Sequence, residues 1–300
     1  MIKNSLSSSA SITTSCNQSL ASGIVLDDYI IERVIAQGGF STVYLARQRK
    51  DQQQVAIKEY KPERLTTRDG LNVLPIDATS AKLFQRGRQL FLNEATLLTT
   101  IKHPNIVSVL NFFLSNNTAY LVMNYDYGHT LGNWLKNSDH LVTTEFLLAV
   151  FQPVMRCIKN MHHRGLLHLD IKPDNILLRP PNNPLILDFG SALSYKNLQN
   201  PSSHSMTKGY ASPEQHDKHY KLGPWSDCYA IGASMRACLD RSPPILSTDI
   251  TALSDRPSAH QLYKNRIDAK ILYAIDWAMQ TSPAKRPQTV NDLLNATHYR

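Results

Sequence analysis

The stretch that most constrains this chain spans residues 166–190. It reads Leu-Leu-His-Leu-Asp-Ile-Lys-Pro-Asp-Asn-Ile-Leu-Leu, then a Pro/Asn-rich run, then Leu-Ile-Leu-Asp-Phe-Gly. Two short apolar runs, 176–178 and 185–187, read as buried strands, and 179–184 as the turn between them. If the strands pair as a hairpin, His168, Asp170, Lys172 and Asn175 before it and Asp188 after it gather at one end. Asp170 is then poised to accept a proton. Asn175 and Asp188 offer hard oxygen ligands of the kind Mg²⁺ takes. The plainer alternative is a buried hairpin with solvated charges at its mouth.

The 300 residues suffice for one large domain or two lobes with separate cores, and 42% hydrophobic with 19% charged residues is ordinary for a globular protein. A formal charge of +8 favours acidic partners. Zinc-finger spacing, an RNA-binding aromatic motif and a long Lys/Arg block are all missing, so no nucleic-acid partner is expected. The four cysteines, Cys16, Cys157, Cys228 and Cys238, show no Cys-x-x-Cys pair and fit a reducing compartment. Neither a signal-peptide core nor an 18-residue apolar run occurs, so the expectation is a cytoplasmic protein without a membrane segment. Residues 1–28 begin Ser-rich and poor in large apolar groups, and read as a disordered tail.

The spacing His168-Leu169-Asp170, Asn175 and Asp188-Phe189-Gly190 resembles the catalytic loop and metal-binding motif of eukaryotic-type (Hanks-type) protein kinases, and Lys172 resembles the serine/threonine branch. The resemblance covers residues 29–297 and implies an α+β, bilobal fold. It predicts a small β-rich N-lobe with one main helix (about 29–123), a hinge (124–128) and a larger, mostly helical C-lobe (129–300). Strands are expected near 29–35, 42–46, 54–58, 106–110 and 119–123. Ala36-Gln37-Gly38-Gly39-Phe40-Ser41-Thr42-Val43 looks like the glycine-rich loop, with Ala36 and Ser41 at two glycine positions. The resemblance then implies that main-chain groups near Gly38 and Gly39 cover the ATP phosphates. Lys58, braced by Glu94, orients the nucleotide, and Ala36, Val43, Ala56, Met123, Asp126 and Leu177 complete its surroundings. Asp170 and Lys172 are the implied catalytic residues. Asn175 and Asp188 are the implied ligands of Mg²⁺, or of Mn²⁺ in its place.

Residues 143–164 carry Leu147, Val150, Phe151, Val154, Ile158 and Met161 on one helical face, a core helix that presents the catalytic loop. His162 and His163 are adjacent, so they point apart and read as structural or surface groups. Residues 191–212 resemble an activation segment ending in Thr207, with Ser212-Pro213-Glu214 in place of Ala-Pro-Glu. The resemblance sets Thr207 beside Asp170 and Lys172, pairs Glu214 with Arg286, and has Asp227 hold the catalytic-loop backbone.

Together these imply transfer of the ATP γ-phosphate to Ser or Thr hydroxyls of proteins, with autophosphorylation. The His-Leu-Asp-Ile-Lys-Pro-Asp-Asn string resembles bacterial members. Three departures stand out. The stretch 61–88 before Glu94 is long, and reads either as a longer helix or as a flap. Leu169 replaces the arginine that commonly grips an activation-segment phosphate, which implies activity independent of such phosphorylation. Ala36 and Ser41, with Leu169, leave open a pseudokinase that binds nucleotide or serves as a scaffold. A small-molecule kinase is the other alternative, disfavoured by Thr207, the Ser-Pro-Glu end and Arg286.

Overall fold

The computed structural model describes residues 19–194, 207–217, 221–249 and 256–298. The chain divides into two units, residues 1–92 with 110–123 and residues 93–109 with 124–300. The first unit opens with strands β1 (Val25–Leu26), β2 (Tyr29–Gln37), β3 (Ser41–Gln48) and β4 (Gln54–Tyr60). A hairpin follows, β5 (Thr66–Asp69) and β6 (Asn72–Pro75), and then helix α1 (Ala78–Thr100). Strands β7 (Val109–Ser115) and β8 (Thr118–Asn124) complete a six-stranded sheet in the order β1-β2-β3-β4-β8-β7. Alternation puts Tyr29, Ile31, Tyr44, Ala46, Val55, Ile57, Tyr120 and Val122 into one core. Tyr29 and Phe113 stack at 6.4 Å although three strands separate β2 from β7, so the sheet curls.

Three boundaries differ from the sequence reading. The tail, expected to run to residue 28, gives way earlier. Leu20 and Leu26 are buried in the curled core, and the Leu20 N–H donates to the Tyr44 hydroxyl at 3.1 Å. Residues 1–18 lie outside the described residues. The strand expected at 106–110 begins at Val109, because Ile106 and Val107 instead bridge to Ile186 in the second unit. The insert, read as a longer helix or a flap, forms the β5–β6 hairpin, and α1 begins within it at Ala78.

That hairpin turns at Gly70, whose φ of +56° suits glycine, and buries Val73 completely. It also sends Arg68 inward. The carboxylate of Glu59, 0% exposed, accepts from Arg68 at 2.5 Å and from the hydroxyls of Tyr44 and Tyr120 at 2.8 Å each. Burial, with Glu59 beside them, pushes both phenols well above the usual tyrosine range, which keeps them donors.

The second unit begins with α1's last turns and continues through β9 (His129–Thr130), α2 (Leu131–Asn137) and α3 (Thr144–His163). Thr143 caps α3 by accepting from the Phe146 N–H. The face of α3 expected from periodicity is buried, and Met155 and Cys157 join it. Next come β10 (Leu166–Leu167), β11 (Ile176–Arg179), β12 (Asn183–Ile186) and β13 (Leu193–Ser194). Strands β10 and β13 pair with each other, while β11 pairs with both β12 and β9. Helix α4 (Pro224–Asp240) is buried from Ser226 to Leu239, as small and apolar residues all round its surface require. At Gly232 a Cβ would come within 2.7 Å of the Ala278 Cβ, so glycine sets the close approach of the next long helix. The chain ends in α5 (Ala259–Tyr263), α6 (Ala269–Ala278) and α7 (Val290–Ala296).

Arg68→Ala leaves the Glu59 charge enclosed without its cation. The expected loss is about 3 kcal/mol of stability, read as a lower urea midpoint. An unchanged midpoint would mean that Arg68 is not what offsets the burial of Glu59.

Candidate active site

The hairpin creates the site in the second unit. Ile176 pairs with Ile186, which puts Asn175 opposite Leu187, and the Leu187 N–H donates to the Asn175 carbonyl at 3.0 Å. Asn175, just before β11, and Asp188, just after β12, are therefore held at one end of the ladder. Between β10 and β11 runs the loop that carries the other polar groups. Its backbone is pinned by Asp227 of α4, which is 0% exposed and accepts from the N–H groups of His168 (2.9 Å) and Leu169 (2.8 Å). His162 Nε2 lies 2.7 Å from the same carboxylate. Burial would raise the Asp227 pKa, but the bonds from His162 and His168 outweigh it and hold the group below its usual value.

Asp170 is the hub of the loop. Its carboxylate accepts from Lys172 Nζ (2.8 Å), from Asn175 Nδ2 (3.0 Å) and from the Thr207 hydroxyl (2.7 Å). Lys172 Nζ also donates to Thr207 Oγ1 at 2.7 Å. The Asp170 and Lys172 side chains keep 12% and 20% exposure, enough to be reached from solvent. His168 is fully enclosed, with its ring 4.9 Å from Phe189 and Nδ1 accepting the Asp170 N–H. Burial pushes its pKa down, so the imidazole is neutral and positions the loop rather than titrating there.

Glu94 belongs to the same unit. Its Oε1 accepts the Phe189 N–H at 3.4 Å, and a Cβ built on Gly190 would sit 3.4 Å from both Glu94 Oε2 and Asp188 Oδ1. The two carboxylates thus flank Gly190. Leu177 is buried on β11. Asp126 is partly exposed and accepts from Arg179 at 3.3 Å. Gly128 between them admits no side chain, since a Cβ there would lie 2.3 Å from the Leu178 carbonyl oxygen.

In the first unit, Gly38 and Gly39 form the turn from β2 to β3, and the Gly38 N–H donates to the Ser41 carbonyl at 2.9 Å. Ala36 pairs with Val43, Val43 with Lys58, and Leu45 with Ala56 across β2, β3 and β4. Lys58 is 9% exposed, with its ammonium 5.6 Å from the centre of the Phe91 ring. Met123 is buried near the end of β8.

A divalent cation suits the donors at the hairpin's mouth. Asn175 Nδ2 is committed to the Asp170 carbonyl and carboxylate, which leaves Oδ1 as the atom able to ligate, and Asp188, whose Oδ1 also accepts the Gly190 N–H, adds a carboxylate. One amide oxygen and one carboxylate form a partial set of hard donors, of the kind completed by phosphate oxygens and water.

The far end of the activation segment is locked as well. Glu214 and Arg286 form a bidentate pair at 2.7 and 2.9 Å with both side chains 0% exposed, and Ser226 donates to Glu214 at 2.8 Å. Residues 195–206, including Ser202, Ser203 and Ser205, lie outside the described residues. Sequence reasoning missed Gln215, whose side-chain amide donates to the Leu169 carbonyl at 2.9 Å. Its signal was present, because Ser212-Pro-Glu-Gln215 is a capping box.

The protein kinase domain matches residues 29–297. Serine/threonine-protein kinase D of Synechocystis is 27% identical over 289 residues, covering 91% of this chain and 52% of that protein. Serine/threonine-protein kinase PknD of Chlamydia caviae is 28% identical over 245 residues, covering 72% of this chain and 24% of its own length. The chain thus spans about half the length, or less, of such curated relatives. The solved structure described as the PpkA-294 apo form superposes with a TM-score of 0.84 at 30% identity, covering 93% of this chain and 99% of the other. The fold is the bilobal α+β kinase fold, and the chain belongs to the protein kinase domain family.

Proposed function

We propose that this chain transfers the γ-phosphate of ATP to Ser or Thr hydroxyls of proteins, itself among them. The observation that carries the reading is the Thr207 hydroxyl donating to Asp170 at 2.7 Å while Lys172 donates to the same oxygen. An aliphatic hydroxyl is thereby held within proton-transfer reach of a carboxylate and beside a cation.

Phosphoryl transfer passes through a loose transition state, so the residues chiefly position the reactants and balance charge. Asp170 aligns the acceptor hydroxyl and takes its proton. Asn175 fixes the Asp170 carboxylate, and Lys172 offsets the charge that develops on the transferring group. Lys58 and the 36–43 turn of the first unit orient the triphosphate, with Ala56, Met123, Asp126 and Leu177 around the base and ribose. Asn175 and Asp188 would hold a divalent ion, proposed to be Mg²⁺, which when bound neutralises phosphate charge.

A cytoplasmic setting is proposed with this reading. Cys157, Cys228 and Cys238 are free and buried, with thiols pushed up by burial into an unreactive form. Among the described residues, no helix is long and apolar enough to cross a membrane.

With labelled ATP, Mg²⁺ and a generic protein acceptor, Asp170→Ala and Lys58→Met are each expected to lower turnover about a hundredfold or more. Near-wild-type turnover in both would overturn the assigned roles, and an inert wild type with intact nucleotide binding would favour the pseudokinase reading. Label should appear on Ser or Thr only.

The second expectation concerns Leu169. It is 3% exposed, and its N–H and C=O are held by Asp227 and Gln215, so the loop keeps its place without a cation at this position. Phosphatase-treated protein should therefore retain most of its initial rate. Abolished activity after treatment, restored by rephosphorylation, would show that a phosphate is needed after all.

A further inference from the structure

Helix α6 carries apolar groups on two faces. Ile271, Leu272, Ala274, Ile275 and Ala278 are buried. Tyr273 and Trp277, four residues apart, share the outward face with 59% and 38% exposure. Single surface aromatics are common, but this pair is set in a built surface. Tyr273 stacks on His260 of α5, with ring centres 4.5 Å apart and planes at 19°. With Trp277, Gln280, Lys285 and Ala296 it lines a concavity of about 670 Å³. That size accommodates a bulky side chain and its flanking backbone.

The charge around the concavity points to its occupant. Asp276 is the acidic group that lines it, and its carboxylate accepts the N–H groups of Ala259 (2.7 Å) and His260 (3.0 Å) at the start of α5. Lys270 and Lys285 also line it, and both are exposed. We propose that the α6–α7 concavity is a docking site for an acidic segment of a partner protein that carries a bulky apolar side chain. The apolar group fills the space beside Trp277 and Tyr273, and a flanking carboxylate meets Lys285. A second copy of this chain fits poorly, because a formal charge of +8 opposes self-association and a two-fold contact would set lysine against lysine. The binding event is separate from phosphoryl transfer, so its test stands whatever the catalytic variants show.

The test selects a phage-displayed random dodecapeptide library on the full chain and measures the enriched peptides by fluorescence anisotropy. Enriched sequences should place Asp or Glu around Leu, Ile, Phe or Trp. Their affinity should fall about tenfold or more for Trp277→Ala, and likewise for Lys285→Glu. Peptides with the acidic residues changed to Lys should regain binding to Lys285→Glu, which a merely misfolded variant would not do. Thermal unfolding of Lys285→Glu should match the wild type, since that side chain is exposed, and Trp277→Ala is read at a temperature where its own unfolding curve shows it folded. Enrichment with no acidic bias, or affinity unchanged in both variants, overturns the proposal. So does Trp277-dependent binding to phosphatidylserine vesicles, or Trp277-dependent dimerisation in sedimentation velocity, without peptide binding.

Discussion

The catalytic loop depends on one buried carboxylate. Asp227 is carried on a helix with 14 consecutive buried residues, and it spends both oxygens on the backbone N–H groups of His168 and Leu169. Carboxylate-to-amide bonds are charge-assisted, and here they act where water is excluded, so each is stronger than an exposed bond of the same length. The consequence lies two residues downstream. With the backbone fixed at 168 and 169, Asp170 leaves the pinned segment in one direction, and Lys172, Asn175 and Thr207 converge on its carboxylate. The Asp170 cluster can stay partly solvated because its rigidity is supplied from the interior.

Two further buried carboxylates show how the chain separates structural from working charge. Glu214 is enclosed with Arg286, whose remaining guanidinium donors reach the carbonyls of Gln280 and Thr281 and whose plane lies over the Tyr229 ring at 4.9 Å. Glu59 is enclosed with Arg68 and two phenols. Such pairs add little net stability over well-packed apolar groups, because desolvation cancels most of the attraction. Their value is positional, since a bidentate or multiply bonded carboxylate tolerates one geometry. Glu214 fixes the end of the activation segment to α4 and to the turn before α7. Glu59 fixes the inserted hairpin to the sheet. The Asp170–Lys172 pair differs in keeping contact with solvent, in keeping with the role proposed for it.

Much of this was legible in the sequence where the cause is local. The hairpin over β11 and β12 follows from apolar runs bounded by a Pro/Asn turn, and a ladder of that length leaves Asn175 and Asp188 at the same end. The single buried face of α3 follows from its period. What could not be read depends on partners distant in the chain. Glu59 stands next to Lys58 and looks like an ordinary strand charge, yet its burial rests on residues 15, 61 and 9 positions away. Leu20 falls in a polar leader, and only the Tyr44 hydroxyl and the curl of the sheet give it a place to pack. Strand β5, Thr-Thr-Arg-Asp, is too short and polar to show a period. The extent of β7 was missed because Ile106 and Val107 satisfy their backbone elsewhere.

Leu169 joins these arguments. It adopts φ of +64°, a left-handed conformation that costs a residue with a Cβ about 1 kcal/mol. Such strain persists only where the surroundings over-determine it. Here the N–H is held by Asp227, the carbonyl by Gln215, and the side chain is buried to 3% exposure. An arginine at this point would need an anion to offset its burial. Leucine needs none, and its apolar side chain contributes to the packing instead. One link from the loop to the end of the activation segment is therefore a neutral amide-to-carbonyl bond from Gln215, alongside the bonds that Thr207 makes with Asp170 and Lys172. Leucine at position 169 thus accompanies a backbone contact from Gln215 that needs no charged side chain there.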